Sequence, residues 1–198
     1  MWFLWLALLA ALPHQQPLNP AALKPYEDPE AYEVYAVALP PRARWNLNSE
    51  YLVIQQETFP EGCGIALDSC IKGGEAFKRY WGEVLGDFKM QNGSVRFLSK
   101  PIPGPVKHKY VSHEQVLAIF SRGSRDPWTE FYRRYPKAGG SVSLSAVGFN
   151  AAKTKALVFV GHSYNLLGAI DRYVFLERQE GKWRVVRPTG VTLCMCGA

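Results

Sequence analysis

The pentapeptide GHSYN, Gly161 to Asn165, follows the apolar run ALVFV and assembles a glycine, a histidine and a serine where a strand is predicted to end. Those residue types invite a reading as a serine nucleophile. A nucleophile elbow needs glycine on both sides of the serine and a strand that leads straight into a helix. Here the fifth position is Asn165, and NLLGAIDRYVFLE reads as a loop that returns to a strand. His162 and Ser163 are also adjacent, so in extended backbone their side chains leave opposite faces, which is poor geometry for proton transfer. Asp171 can reach either one across the loop. His162, Ser163 and Asp171 are therefore candidate cleft residues, with His162 read as a strand-end residue held by hydrogen bonds, and no residue is assigned a catalytic role.

Metal and cofactor chemistry find no sequence support. The histidines are His14, His108, His113 and His162. His108 and His113 flank a predicted strand-to-helix junction and do not share a helix face. The chain has no His-x-x-x-His and no Cys-x-x-Cys, and KAGGS precedes a strand rather than a helix, so no phosphate loop is formed. Neither a metal nor a cofactor is expected. Among the carboxylates, Glu57 at a strand end is the one singled out.

Four cysteines, Cys63, Cys70, Cys194 and Cys196, make an even count that suits an oxidising compartment. Three pairings are open. Pairing Cys63 with Cys70 would leave CMC to close on itself in a small strained ring. The other two pairings tie the EGCGIALDSC loop to the C-terminal tail. Closing so long a loop is worth about 4–5 kcal/mol in the chain-entropy model, which favours a loop-to-tail staple. Free thiols, and a Cu(I) site in CMC, are the alternatives.

The elements that must position these residues are legible in the periodicity. DPEAYEVYAVAL has Asp28 at an N-cap position, Pro29 in the first turn and apolar residues at helical spacing until Pro40 and Pro41. EYLVIQQETF reads as a strand. GEAFKRYWGEVLGDFKMQNG carries Phe77, Trp81, Val84, Leu85 and Phe88 on one helical stripe. SHEQVLAIF opens on a capping box, Ser112 with Gln115, and DPWTEFYRRYP is a helix started by Asp126 and stopped by Pro136. The period then becomes two: Val142, Leu144 and Ala146 alternate with Ser141, Ser143 and Ser145 in a strand running to about Phe149. KALVFVGHS has an unbroken apolar centre that predicts a strand covered on both faces. RYVFLER and KWRVVRP form a pair across QEGK. The expected fold class is α+β: an antiparallel meander of four to five strands, with N-terminal and central helices packed on one face.

The 198 residues, 47% hydrophobic, suffice for one domain with a real core. The opening MWFLWLALLAALPHQQ has an apolar core from Trp2 to Leu12, shorter than the roughly 20 residues that span a bilayer and of signal-peptide length. An apolar helix packed on the domain is the competing reading. Residues 1–16 are thus expected to be a signal peptide, 17–27 a Pro-rich tether and 28–198 a single α+β domain. No later segment is apolar enough for a transmembrane span, so a periplasmic or extracellular location is expected.

Charge is uneven: residues 1–99 hold 8 Lys or Arg against 11 Asp or Glu, and residues 100–198 hold 15 against 6. The basic half could face an anionic envelope component, and a protein is the other partner class. A nucleic-acid partner is not expected, because the basic residues are dispersed and form no recognised binding motif.

The succession FYRRYP, SLSAVGFN, KALVFVGHS and YVFLERQEGKWRVV, closed by Cys-Met near the C-terminus, resembles an uncharacterised family of exported bacterial proteins of unknown function. The resemblance covers most of the chain from about Tyr26 onward. It implies export and carries no activity. Where that family has a loop rich in Cys and Gly after GHS, this chain has YNLLGAID. Together these readings predict an exported, non-catalytic binding or envelope-structural module; the alternative is a small hydrolase with its site in the helix-to-sheet cleft near residues 161–171.

Overall fold

Period-two segments dominate the second half of the chain and helical stripes the first, and both pack into one layered structure. The computed structural model describes residues 23–40, 48–59, 67–120 and 126–193. In chain order its elements are β1 (Lys24–Tyr26), α1 (Pro29–Ala38), β2 (Tyr51–Gln55), α2 (Leu67–Cys70), β3 (Ile71–Gly73), α3 (Glu75–Gln91), β4 (Arg96–Leu98), β5 (His108–Val111), α4 (His113–Phe120), α5 (Pro127–Arg134), β6 (Ala138–Leu144), β7 (Gly148–Phe149), β8 (Lys155–Asn165), β9 (Gly168–Gln179), β10 (Lys182–Val186) and β11 (Val191–Leu193). No described helix is long and apolar enough to cross a membrane.

The main sheet has the order β10-β9-β8-β6-β2-β5, with β7 paired to β8. Strands β6, β8, β9 and β10 are the expected antiparallel meander. Two strands from earlier in the chain extend it: β2 lies parallel to both β5 and β6. The sheet is therefore mixed, which corrects the purely antiparallel expectation. Strand β2 docks in the same direction as β6 because a long helical crossover separates the two in the chain, and only such a connection permits parallel pairing.

Helices cover both faces, a second correction. On one face Leu52, Ile54, Val142, Leu144, Val158, Val160, Val174 and Leu176 pack against Tyr32, Val34 and Tyr35 of α1. On the other, Leu157, Phe159, Tyr173 and Phe175 meet the α3 stripe of Phe77, Trp81, Val84 and Phe88. Further along that second face, Val53, Val111 and Ala138 lie under Ile119 of α4 and Phe131 of α5. The result is a three-layer α/β/α arrangement.

The local signals explain the element ends. Asp28 accepts from the Glu30 amide and Asp126 from those of Trp128 and Thr129, each with proline in the first turn. Ser112 and Gln115 exchange the two bonds of a capping box. Lys24–Tyr26, within the stretch expected to be a tether, forms β1, and Tyr26 is buried with its hydroxyl bonded to Val147. GHSYN lies wholly inside β8, which runs to Asn165 and turns directly into β9 through Leu166 and Leu167, with no intervening loop.

A serine-lined floor between the helical clusters

Cross-strand register places the candidate residues. One row on the α3/α4–α5 face holds Val53, Ser141, Ser163 and Ala169. The next holds Ser143, Gly161 and Asp171, with Gln55 falling beside Ser143 because Ile54, its neighbour, pairs with Val142. Towards Lys155 this face is apolar and lies under α3; towards β5 it lies under α4 and α5. Between the two helical clusters the floor is polar. Ser141, Ser143, Ser163 and Asp171 are half-buried and Gln55 is buried.

Gly161 sets the spacing within this floor. A Cβ at that position would stand 2.5 Å from Ser143 Oγ and 3.0 Å from Asp171 Oδ1, so hydroxyl and carboxyl both lean over the glycine from the flanking strands. Burial pushes the Asp171 carboxyl above the usual carboxylate range, opposed by a hydrogen bond from the His162 amide. Tyr132 of α5 borders the floor, its hydroxyl donating to the Tyr164 carbonyl at 2.6 Å. Lys109 of β5 continues the first row beside Val53; between the two helical clusters the floor offers hydroxyls, an amide and a carboxyl.

Of the three cleft candidates, Ser163 and Asp171 share this face in neighbouring rows, while His162 projects to the α1 side. There it is 2% exposed and its Nε2–H donates to the Gly139 carbonyl at 2.7 Å. Burial lowers its pKa; the Gly139 bond opposes that shift and the Arg172 charge adds to it. The His162–Ser163 pair is thereby split by the sheet itself, as extended backbone requires.

Glu57 is 2% exposed and accepts from the His113 amide at 2.7 Å. It ties the first residue of α4 to the end of β2, an anionic partner for orphan helix amides. The Gln55 amide donates to His113 Nδ1 at 3.0 Å. His108 instead engages Ile102 and Val106, so the two histidines serve separate elements.

Cys70 is 1% exposed and disulfide-bonded. Cys63, Cys194 and Cys196 lie outside the described residues.

The serine pair of β6 and Gln55 were missed as site residues. Alternation of Ser141 and Ser143 with Val142 and Leu144 marks a two-faced strand, but a serine face reads as solvent unless helices are known to flank it. The available signal was chemical: that face carries only small hydroxyls, without the charges typical of a solvated strand.

Cavities of about 370, 440 and 540 Å³ open elsewhere: beside the start of β2 and β5, between α3 and the end of β10, and between β9, β10 and β11. None of these three is lined by the floor serines, and what marks the floor is its convergent chemistry. Compared with protein-family models, curated proteins and solved structures, the chain gives no significant match.

Proposed function

We propose that this chain is an exported, non-catalytic binding module that holds a small polyhydroxylated ligand on the floor between α3 and α4–α5. The observation that carries the reading is the convergence of Ser141, Ser143, Ser163, Gln55 and Asp171 on one half-buried strip. Hydroxyls and amides both donate and accept, which matches ligand hydroxyls that do the same. Burial raises the worth of each bond made there. Export is supported by the apolar leader-like stretch at Trp2–Leu12, by the disulfide at Cys70 and by the family resemblance.

Titration of isotopically labelled protein with simple sugars and polyols tests the binding reading. Saturable shifts of the Ser143, Gly161 and Asp171 amides are expected, and Ser143→Ala with Asp171→Asn should weaken binding about tenfold or more. Failure of every polyol to perturb those amides would overturn it.

The second reading is a small hydrolase, favoured by one observation: the Ser143 hydroxyl and the Asp171 carboxyl lean over the same glycine. Its mark would be turnover of an activated ester that is lost in Ser143→Ala and retained in Ser163→Ala.

A further inference from the structure

We propose that the apex of the β8–β9 hairpin docks on an anionic lipid bilayer surface, its two leucines entering the interfacial layer while flanking cations rest on the headgroups. This stands apart from the serine floor and does not depend on it.

Leu166 is 76% and Leu167 91% exposed, and Ile170 follows at 42%. The turn does not demand leucine. Tight hairpin turns select Gly, Asn or Asp for positive φ, and neither leucine is among the positive-φ residues. The turn is shaped by its neighbours instead. Asn165 Oδ1 accepts from the Leu167 amide at 3.0 Å. Gly168 lies so close under Tyr164 that a Cβ there would stand 2.2 Å from the ring. The Tyr132 hydroxyl then fastens Tyr164 to α5. Two apolar side chains are thus presented to solvent by a braced support.

Cations occupy the same end of the sheet as the apex. Ala138, at the start of β6, lies beyond the Ser141–Ser163 pair in the direction of the hairpin and pairs with Tyr51. Lys137 and Lys107 flank that row, the Lys107 carbonyl accepting from the Leu52 amide. Arg133 and Arg134 sit in the last turn of α5, beside the hairpin that Tyr132 grips. Two carboxylates, Glu130 and Glu50, answer these four exposed cations. The excess positive charge complements an anionic surface and the leucines complement its apolar boundary, the combination that holds peripheral segments at a membrane. A narrow apex of two leucines falls far short of the roughly 800 Å² per partner of a stable protein interface, whereas a bilayer needs no such area.

Flotation of the full chain with vesicles tests this. Binding is expected to vesicles of phosphatidylcholine mixed with phosphatidylglycerol, and little to phosphatidylcholine alone. Leu166→Ser with Leu167→Ser should reduce the bound fraction about tenfold or more, with the thermal unfolding curve unchanged because both side chains are in solvent. Lys107→Gln with Arg133→Gln should weaken binding and blunt its salt dependence. Undiminished flotation of the leucine variant, or no flotation of the native chain, overturns the proposal. Self-association in sedimentation that the leucine substitutions abolish, without vesicle binding, would also overturn it and make the apex a contact between copies of this chain.

Discussion

Gly161 is the residue on which the floor turns. Its missing side chain lets the Ser143 hydroxyl and the Asp171 carboxyl approach across three adjacent strands. Gly161→Ala should force both aside, at about 1–3 kcal/mol in chemical denaturation, and should abolish polyol binding even where the protein remains folded. The two titratable neighbours give opposite pH signatures. The Asp171 pKa is raised on folding, so its contribution is present below its unfolded value and lost as pH rises through the folded one. Asp171→Asn should therefore gain stability relative to the native chain as pH climbs through that window. The His162 pKa is lowered, so its contribution is present above the ordinary histidine value of 6.5 and is lost as pH falls from there through the folded value. His162→Gln should flatten that acid limb in denaturant titrations at stepped pH. At this scale the sequence separated His162 from Ser163 correctly, because strand alternation is a local property. It was silent on Ser143 and Asp171 as neighbours, because register between distant strands is not.

Element by element, the helices and the meander were readable because caps, prolines and stripes are written within a dozen residues. Trp81 shows the strength of that signal: expected in the core, it is 3% exposed and its ring meets Phe175 edge-on at 4.9 Å between centroids. Trp81→Ala should cost about 3–5 kcal/mol, read from the urea midpoint. The parallel docking of β2 and the pairing of β3 with β11 left no local mark. The latter bears on the cysteines. Leu193, the last residue of β11, pairs with Ile71 in antiparallel register, and Cys70 immediately precedes Ile71 as Cys194 immediately follows Leu193 in the chain. We expect a Cys70–Cys194 disulfide, with Cys63 left to Cys196. Digestion without reduction should release one peptide joining those two strands; a Cys63–Cys70 peptide would refute the pairing.

For the molecule as a whole, three layers bury three clusters, and the largest gathers residues from Tyr26 to Trp183. The charge excess of the second half, dispersed along the sequence, is gathered in part at one end of the sheet, beside the hairpin apex. No reading of composition locates that end, since Lys107 precedes β5, Arg133 lies in α5 and Lys137 precedes β6. A chimaera with the apex leucines replaced by Asn-Gly should keep the native unfolding transition, measured by circular dichroism, while losing whatever surface the apex serves.

The position of β2 has a consequence for the order in which the chain becomes structured. Both its neighbours, β5 and β6, are made after it, and β6 links it to the rest of the meander, β8, β9 and β10. During synthesis, then, the first half emerges with apolar strands and helices but without the surface that will bury them, because the meander that supplies that surface is translated after it. A fragment ending at Lys137 should accordingly lack a cooperative thermal transition, and adding residues 138–193 in trans should restore one.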